Sequence, residues 1–167
     1  MNLIAAADRN WGIGKNNGLL ISIPEDMQFF RASTIHNVVV MGRHTLESFP
    51  NAKPLPQRTN IVLSGKPDYE VKGATVVHGI AELKEELKKY DTDDVFIIGG
   101  DSIYHQFEPY CKVAYITKLD YEYDADAHFP NLDEKENWVL HDESEEHTYF
   151  DIPYTFACYY NTDVKEL

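Results

Sequence analysis

Basic side chains are scarce in this sequence. Its 15 lysines and arginines stand against 28 aspartates and glutamates, a formal charge of −13 over 167 residues. Such a chain repels polyanions, which argues against nucleic acid or an anionic membrane surface as a partner. An anionic ligand would need the few cations gathered at its site. Cysteine is nearly absent as well: Cys111 and Cys158 fall in apolar, strand-like segments and read as core fillers of a reducing compartment, not a disulfide framework. No apolar run approaches the ~20 residues of a membrane span. Strand-like "NLIAAA" follows Met1 almost directly, without the basic region or processing site of a signal peptide. The expectation is a cytoplasmic, soluble protein.

Core-forming residues are plentiful. A hydrophobic share of 43% with 13% aromatics argues against disorder and suffices for a sizeable core. No repeat, low-complexity tract or linker divides the chain, so residues 1–167 are read as one domain.

"NLIAAA" reads as a first buried strand, followed by a long glycine- and asparagine-rich loop, "DRNWGIGKNNG". Pro24 suits the first position of a helix running to about Ser33. "NVVVMG" is a β-branched run without alternation, the pattern of a strand covered on both faces. "RHTLESF" reads as a short helix, "TNIVLS" and "ATVVH" as strands, and "GIAELKEELKKY" as a helix with a solvated charged side. "DDVFIIGG" is a further buried strand that leads into the helix "DSIYHQF", and "KVAYITKL" is a strand. "NWVLHDE" and "YTFACYYN" look like an antiparallel pair at a sheet edge. The pattern implies an α/β domain whose sheet is mostly parallel and ends in a hairpin. Ligands of such sheets sit at the carboxyl ends of the strands.

Three strand ends carry groups suited to phosphate. "IIGGDSIY" offers a Gly99-Gly100 turn for close backbone approach, with Asp101 as a possible cap of the next helix. "MGRHTLES" places Arg43 after a buried strand, and "LSGK" supplies Ser64 and Lys66. Together they favour a long, multiply phosphorylated ligand such as a dinucleotide. "GIGKNNG" has neither the spacing of a dinucleotide fingerprint nor the Ser or Thr of a Walker loop. It reads as a flexible glycine loop or as a lid. His141 and His147, set among acids in "HDESEEH", are read as a solvated loop, and no metal is assigned. Asp26 is ambiguous. It is either a first-turn acid stabilising the helix dipole or, sharing a stripe with Phe29 and Phe30, a carboxylate aimed into a site.

Taken in order, "NLIAA", "GIGKNNGL", "IPEDMQFFR", "VVVMGRHTLES", "PLPQRTNIVLS", "VFIIGGDSIYHQF", "YITKL" and "DADAHFP" resemble dihydrofolate reductases over essentially the whole chain. The resemblance implies a mixed, mostly parallel eight-stranded sheet flanked by helices. It also implies NADPH-dependent reduction of 7,8-dihydrofolate, and commonly a monomer. By position, Asp26 matches the carboxylate that accepts hydrogen bonds from the pterin 2-amino group and N3, with Thr117 as its support. Substrate positions are matched by Ile4, Ala5, Met27, Phe30, Phe49, Leu55 and Ile98, and Arg58 matches the arginine that binds the substrate α-carboxylate. Cofactor positions are matched by Ala6, Ile13, Gly14, Leu19, Gly42, Arg43, His44, Thr45, Leu63 and Ser64. They continue through Gly99, Gly100, Asp101, Ser102, Ile103 and Tyr104, with Lys66 an additional partner for the 2′-phosphate.

One departure stands out. The family usually carries Pro-Trp in its active-site loop, where the indole holds an ordered water near the pterin; here those positions read Leu20-Ile21. Ile21 cannot donate a hydrogen bond. Alternatives left open are a same-fold reductase of a ribosylated pyrimidine in riboflavin synthesis, a non-catalytic NADPH-binding module, and an acidic protein-binding domain.

Overall fold

The computed structural model describes residues 1–167. Along the chain, β1 (Asn2–Ala7) is followed by β2 (Gly12–Lys15), β3 (Gly18–Leu19), α1 (Pro24–Thr34), β4 (Val38–Gly42) and α2 (Arg43–Glu47). Next come β5 (Thr59–Leu63), β6 (Ala74–Val77), α3 (Ile80–Leu87), β7 (Val95–Ile97) and α4 (Asp101–Phe107). The last part holds β8 (Val113–Leu119), β9 (Ala127–His128), β10 (Trp138–Glu143), β11 (His147–Tyr149) and β12 (Ile152–Asn161).

The main sheet has the order β10-β12-β8-β1-β7-β4-β5-β6, and β11 pairs with β12 off this path. From β8 to β6 all neighbours are parallel. β12 runs antiparallel to β8, β10 antiparallel to β12, and β11 folds back on β12 as a hairpin. The expected mixed, mostly parallel sheet with an antiparallel C-terminal edge is therefore present, with β11 added to the eight-strand path.

Parallel strands are stable only with both faces covered, and the apolar runs meet that demand by splitting their side chains between two clusters. Leu3, Val38, Val40, Ile61, Val95 and Ile97 join Ile103 and Phe107 of α4, Leu83 of α3, and Trp11 on one face. Ile4, Val39, Met41, Val62 and Phe96 form the other face with Leu46 of α2, and Phe29 and Phe30 of α1 pack against it. Strand alternation thus decides which residues look toward α1.

Several local expectations need correction. The glycine-rich segment is not an unstructured loop: β2 pairs with β3 and β9 in a separate three-stranded sheet. Buried Asp8 organises its entry, since Oδ1 accepts the N–H groups of Asn10 and Gly12 and Oδ2 that of Tyr123. The hairpin is also tied to a distant loop, where Lys15 Nζ donates to Asp124 at 2.7 Å and Asn16 N to Asp126 at 3.0 Å. His141 lies in β10 and stacks on Tyr160, and His147 lies in β11 and stacks on Tyr154. Both lie in strands and not in a loop: His147 pairs with Tyr154 of β12, whereas His141 sits exposed at a register irregularity of β10. Cys111 follows a 3-10 turn, Glu108–Tyr110, and is not in a strand. Asp101 is the first helical residue, with Gly100 at the cap position.

Candidate active site

Because β8, β1, β7, β4 and β5 are parallel, their carboxyl ends all open on one edge of the sheet. Asp26 reaches this edge from above. Pro24 starts α1 without needing an N–H, and Glu25 and Asp26 fill its acid-favouring first turn. Thr117 lies in the carboxyl-terminal half of β8, in register with Ala6 of β1 on one side and Phe156 of β12 on the other. Its hydroxyl donates to Asp26 Oδ1 at 2.6 Å. Burial pushes the Asp26 carboxyl above its ordinary value, and the Thr117 bond offsets part of that rise. Oδ2 carries no such bond, so the carboxylate presents an unused acceptor face in a poorly solvated position.

The apolar surroundings are built from both partners. Ile4, Phe30, Phe49, Leu55 and Ile98 belong to one apolar cluster on the α1 face. Phe29 packs against Phe156 at 5.1 Å and Tyr115 at 6.2 Å. Ala5 lies on the opposite face of β1 with the other cluster, as do Ile13 and Leu63. Met27 and Leu19 are 48% and 65% exposed and lie outside these clusters, at the rim.

Arg58 lies just ahead of β5. Its Nε donates to Thr34 Oγ1 at 3.2 Å and its Nη1 to Pro56 O at 2.9 Å, neither partner being an acid. Burial first, then the like charge of Arg31, draws it below the ordinary arginine value. It stays charged, and its positive field is not neutralised by a bonded carboxylate.

The glycine turn after β7 is packed against the end of β4. Gly42 N donates to Gly99 O at 2.9 Å. Gly99 has φ +124°, where a side chain is strained, and a Cβ there would stand 3.3 Å from the Tyr104 ring and 3.5 Å from Thr45 Oγ1. A Cβ on Gly42 would meet Ile103 at 3.1 Å. Only glycine keeps this cradle open. Tyr104 is fixed beneath it, its hydroxyl donating to Ile4 O at 2.7 Å, and burial holds that phenol far above its usual value.

The remaining positions divide by role. Arg43 pairs with Glu47 at 2.9 Å and lies 6.0 Å from the Tyr69 ring, which orients it along α2. Ser64 is buried, its hydroxyl accepting Lys66 N at 3.1 Å, and so it shapes the turn that presents Lys66. Asp101 Oδ2 accepts His128 N at 2.7 Å, tying α4 to β9, while Ser102 beside it is exposed. Gly14 O accepts Asp126 N at 3.0 Å, and Asn17 Nδ2 donates to His44 O at 3.0 Å, which brings the β2–β3 hairpin against α2. Arg43 and Lys66 thus stand at neighbouring strand ends beside a side-chain-free turn, which fits a polyanionic dinucleotide.

Ile21 packs with Tyr123, Tyr149 and Phe156 around a small core of Ile23, Leu119 and Tyr154. Trp11 does not replace the missing indole. It is buried on the other face of the sheet, stacked on Phe129 at 5.9 Å. Phe156 and His147, which border α1 and β8, and Asp8, which organises the entry to β2, are not among the sequence-predicted positions. Only Asp8 carried a local signal, an Asx-type turn in "DRNWG".

The family model described as dihydrofolate reductase matches residues 1–161. A dihydrofolate reductase of Bacillus subtilis (strain 168) is 38% identical over 140 residues, covering 84% of this chain and 80% of that one. One from Neisseria gonorrhoeae is 37% identical over 161 residues, covering 95% of this chain and 96% of that one. A solved dihydrofolate reductase from Enterococcus faecalis, complexed with NADP(H) and RAB-propyl, has a TM-score of 0.85 and 32% identity. It covers 97% of this chain and 96% of that one. With the carboxylate, the glycine cradle and the arginine all in place, the chain belongs to the dihydrofolate reductase family.

Proposed function

We propose that this protein reduces 7,8-dihydrofolate to 5,6,7,8-tetrahydrofolate with NADPH, and that half-buried Asp26 with buried Thr117 is its catalytic centre. The single observation that carries this reading is that pair, 2.6 Å apart between α1 and β8. NADPH, when bound, would supply the hydride, from nicotinamide C4 to pterin C6, while N5 takes a proton.

The chain's own residues do the rest. The Asp26 carboxylate accepts the 2-amino and N3 donors of the pterin, which satisfies a group that burial otherwise penalises. Its negative charge polarises the ring toward protonation at N5, with water as the proton source. Thr117 fixes the carboxylate's orientation. Phe30, Phe49, Leu55 and Ile98 exclude water around the ring and benzoyl group. Arg58 binds the α-carboxylate as a charge-assisted pair. Arg43, Thr45, Lys66 and the Gly99-Gly100 turn would hold the phosphates and ribose of the cofactor, and Tyr104 would flank the nicotinamide site. Holding two reactants in one geometry lowers the entropic part of the barrier. The proposal includes a cytoplasmic monomer without nucleic-acid or membrane partners, and the charge of −13 supports the exclusion of polyanions.

The test follows absorbance of reduced nicotinamide on mixing protein, NADPH and dihydrofolate. Oxidation that requires dihydrofolate supports the assignment. NADPH binding without oxidation would turn it toward a non-catalytic module, and oxidation only with a ribosylated pyrimidine toward the riboflavin-pathway reductase.

A further inference from the structure

We propose that His147 is a positioning residue for Asp26, acting through Glu25 and Phe156. His147 lies in β11, outside the ligand-facing positions described above. Its Nδ1 is 3.1 Å from Glu25 Oε1. Its ring lies nearly parallel to Tyr154, 5.5 Å away at 21°, and meets Phe156 edge-on at 5.6 Å and 71°.

Each contact leads to the catalytic carboxylate from a different side. Glu25 directly precedes Asp26 in the first turn of α1, whose cap residue, Ile23, makes no side-chain hydrogen bond. An uncapped first turn frays unless something outside the helix holds it. Phe156 packs on Phe29 of the same helix at 5.1 Å and pairs in register with Thr117. Thr117 in turn donates to Asp26. His147 therefore grips the helix start through Glu25 and braces the strand that carries the Thr117 donor through Phe156.

The charged groups facing His147 are Glu25 and, from the loop before β11, Glu145, whose Oε1 is 3.9 Å from Nε2. The Tyr154 phenol packs against its ring, and Asp26 is one residue beyond Glu25. Side-chain exposures of 28% for His147 and 48% for Glu25 limit the pair to a modest effect on position.

The proposal rests on the reductase reading, and the experiment separates the two. His147→Phe keeps an aromatic ring against Tyr154 and Phe156 but removes the polar contact. Single-turnover hydride transfer is measured across pH with saturating NADPH and dihydrofolate, with NADPH affinity and Tm alongside. We expect the rate to fall about fivefold, the inflection of the pH profile to move, and NADPH affinity to stay within about twofold of wild type. Glu25→Gln, at an exposed position, should reproduce the loss without adding to it. In an Asp26→Asn background, His147→Phe should change the rate by less than about twofold, since the group it positions has lost its charge.

An unchanged rate and pH profile in both single variants overturns the positioning role. So does a fivefold loss that persists in the Asp26→Asn background, which would mark His147 as merely structural. A wild-type protein that oxidises no NADPH with dihydrofolate overturns both readings.

Discussion

The Thr117 hydroxyl and Asp26 Oδ1 are 2.6 Å apart, a bond that ties the first turn of α1 to the carboxyl-terminal half of β8 across 91 residues of sequence. It orients the carboxylate and leaves both oxygens with acceptor capacity for a ligand. Losing the donor should be felt in the titration of Asp26 itself. Thr117→Val keeps the shape and removes the O–H, so the carboxyl should rise further above its ordinary value. The inflection of the hydride step should move to higher pH, and the rate above it should fall on the order of tenfold. A Thr117→Val enzyme with the wild-type pH profile would show the hydroxyl to be incidental.

The same buried carboxylate should cost stability. Because its folded value is raised, the unfolded chain gives up the Asp26 proton at lower pH than the native one. No penalty exists below the unfolded value; it grows as pH rises from there and is complete above the raised folded value. Asp26→Asn should therefore raise the Tm of the ligand-free protein near neutral pH, with the advantage vanishing in acid. Calorimetry over that range checks it, and an equal or lower Tm for the variant at neutral pH contradicts the sign.

Arg58 is held by Thr34 and Pro56 but bonded to no acid. Arg58→Gln should raise KM for dihydrofolate on the order of 10- to 100-fold, the loss of a charge-assisted pair. Steady-state kinetics should show KM for NADPH nearly unchanged. If NADPH instead suffers the larger loss, Arg58 belongs to the other ligand.

Gly99 combines φ +124° with a 3.3 Å approach to Tyr104 at the place a Cβ would occupy. Gly99→Ala should lower stability on the order of 1–3 kcal/mol and weaken NADPH binding more than dihydrofolate binding. Thermal melts paired with two ligand titrations decide this, and equal losses for the two ligands would argue against a cofactor cradle.

Much of the sheet could be read from runs such as "NVVVMG", since a strand covered on both faces must be apolar throughout, and here Val38 and Val40 face one cluster while Val39 and Met41 face the other. The glycine turn and the cations at neighbouring strand ends were visible for a similar reason: their chemistry is local. The β2–β3 hairpin was not, because its order comes from Asp124 and Asp126, more than 100 residues away. His147 was misread for the same cause. Its acidic neighbours in sequence suggest a solvated loop, whereas pairing with β12 sets it against Tyr154 and Glu25. Asp26 lay between these cases. Helix periodicity placed it on the apolar stripe, but periodicity alone could not choose between a first-turn acid and a ligand-binding carboxylate.

The most direct measurement of the account is single-turnover hydride transfer by Asp26→Asn beside wild type, from about pH 5 to pH 9. Loss of the charge should slow the step on the order of 100-fold at neutral pH. The rate should recover toward low pH, where the substrate itself becomes protonated. A variant that matches wild type at every pH would contradict the assignment of Asp26 as the catalytic carboxylate.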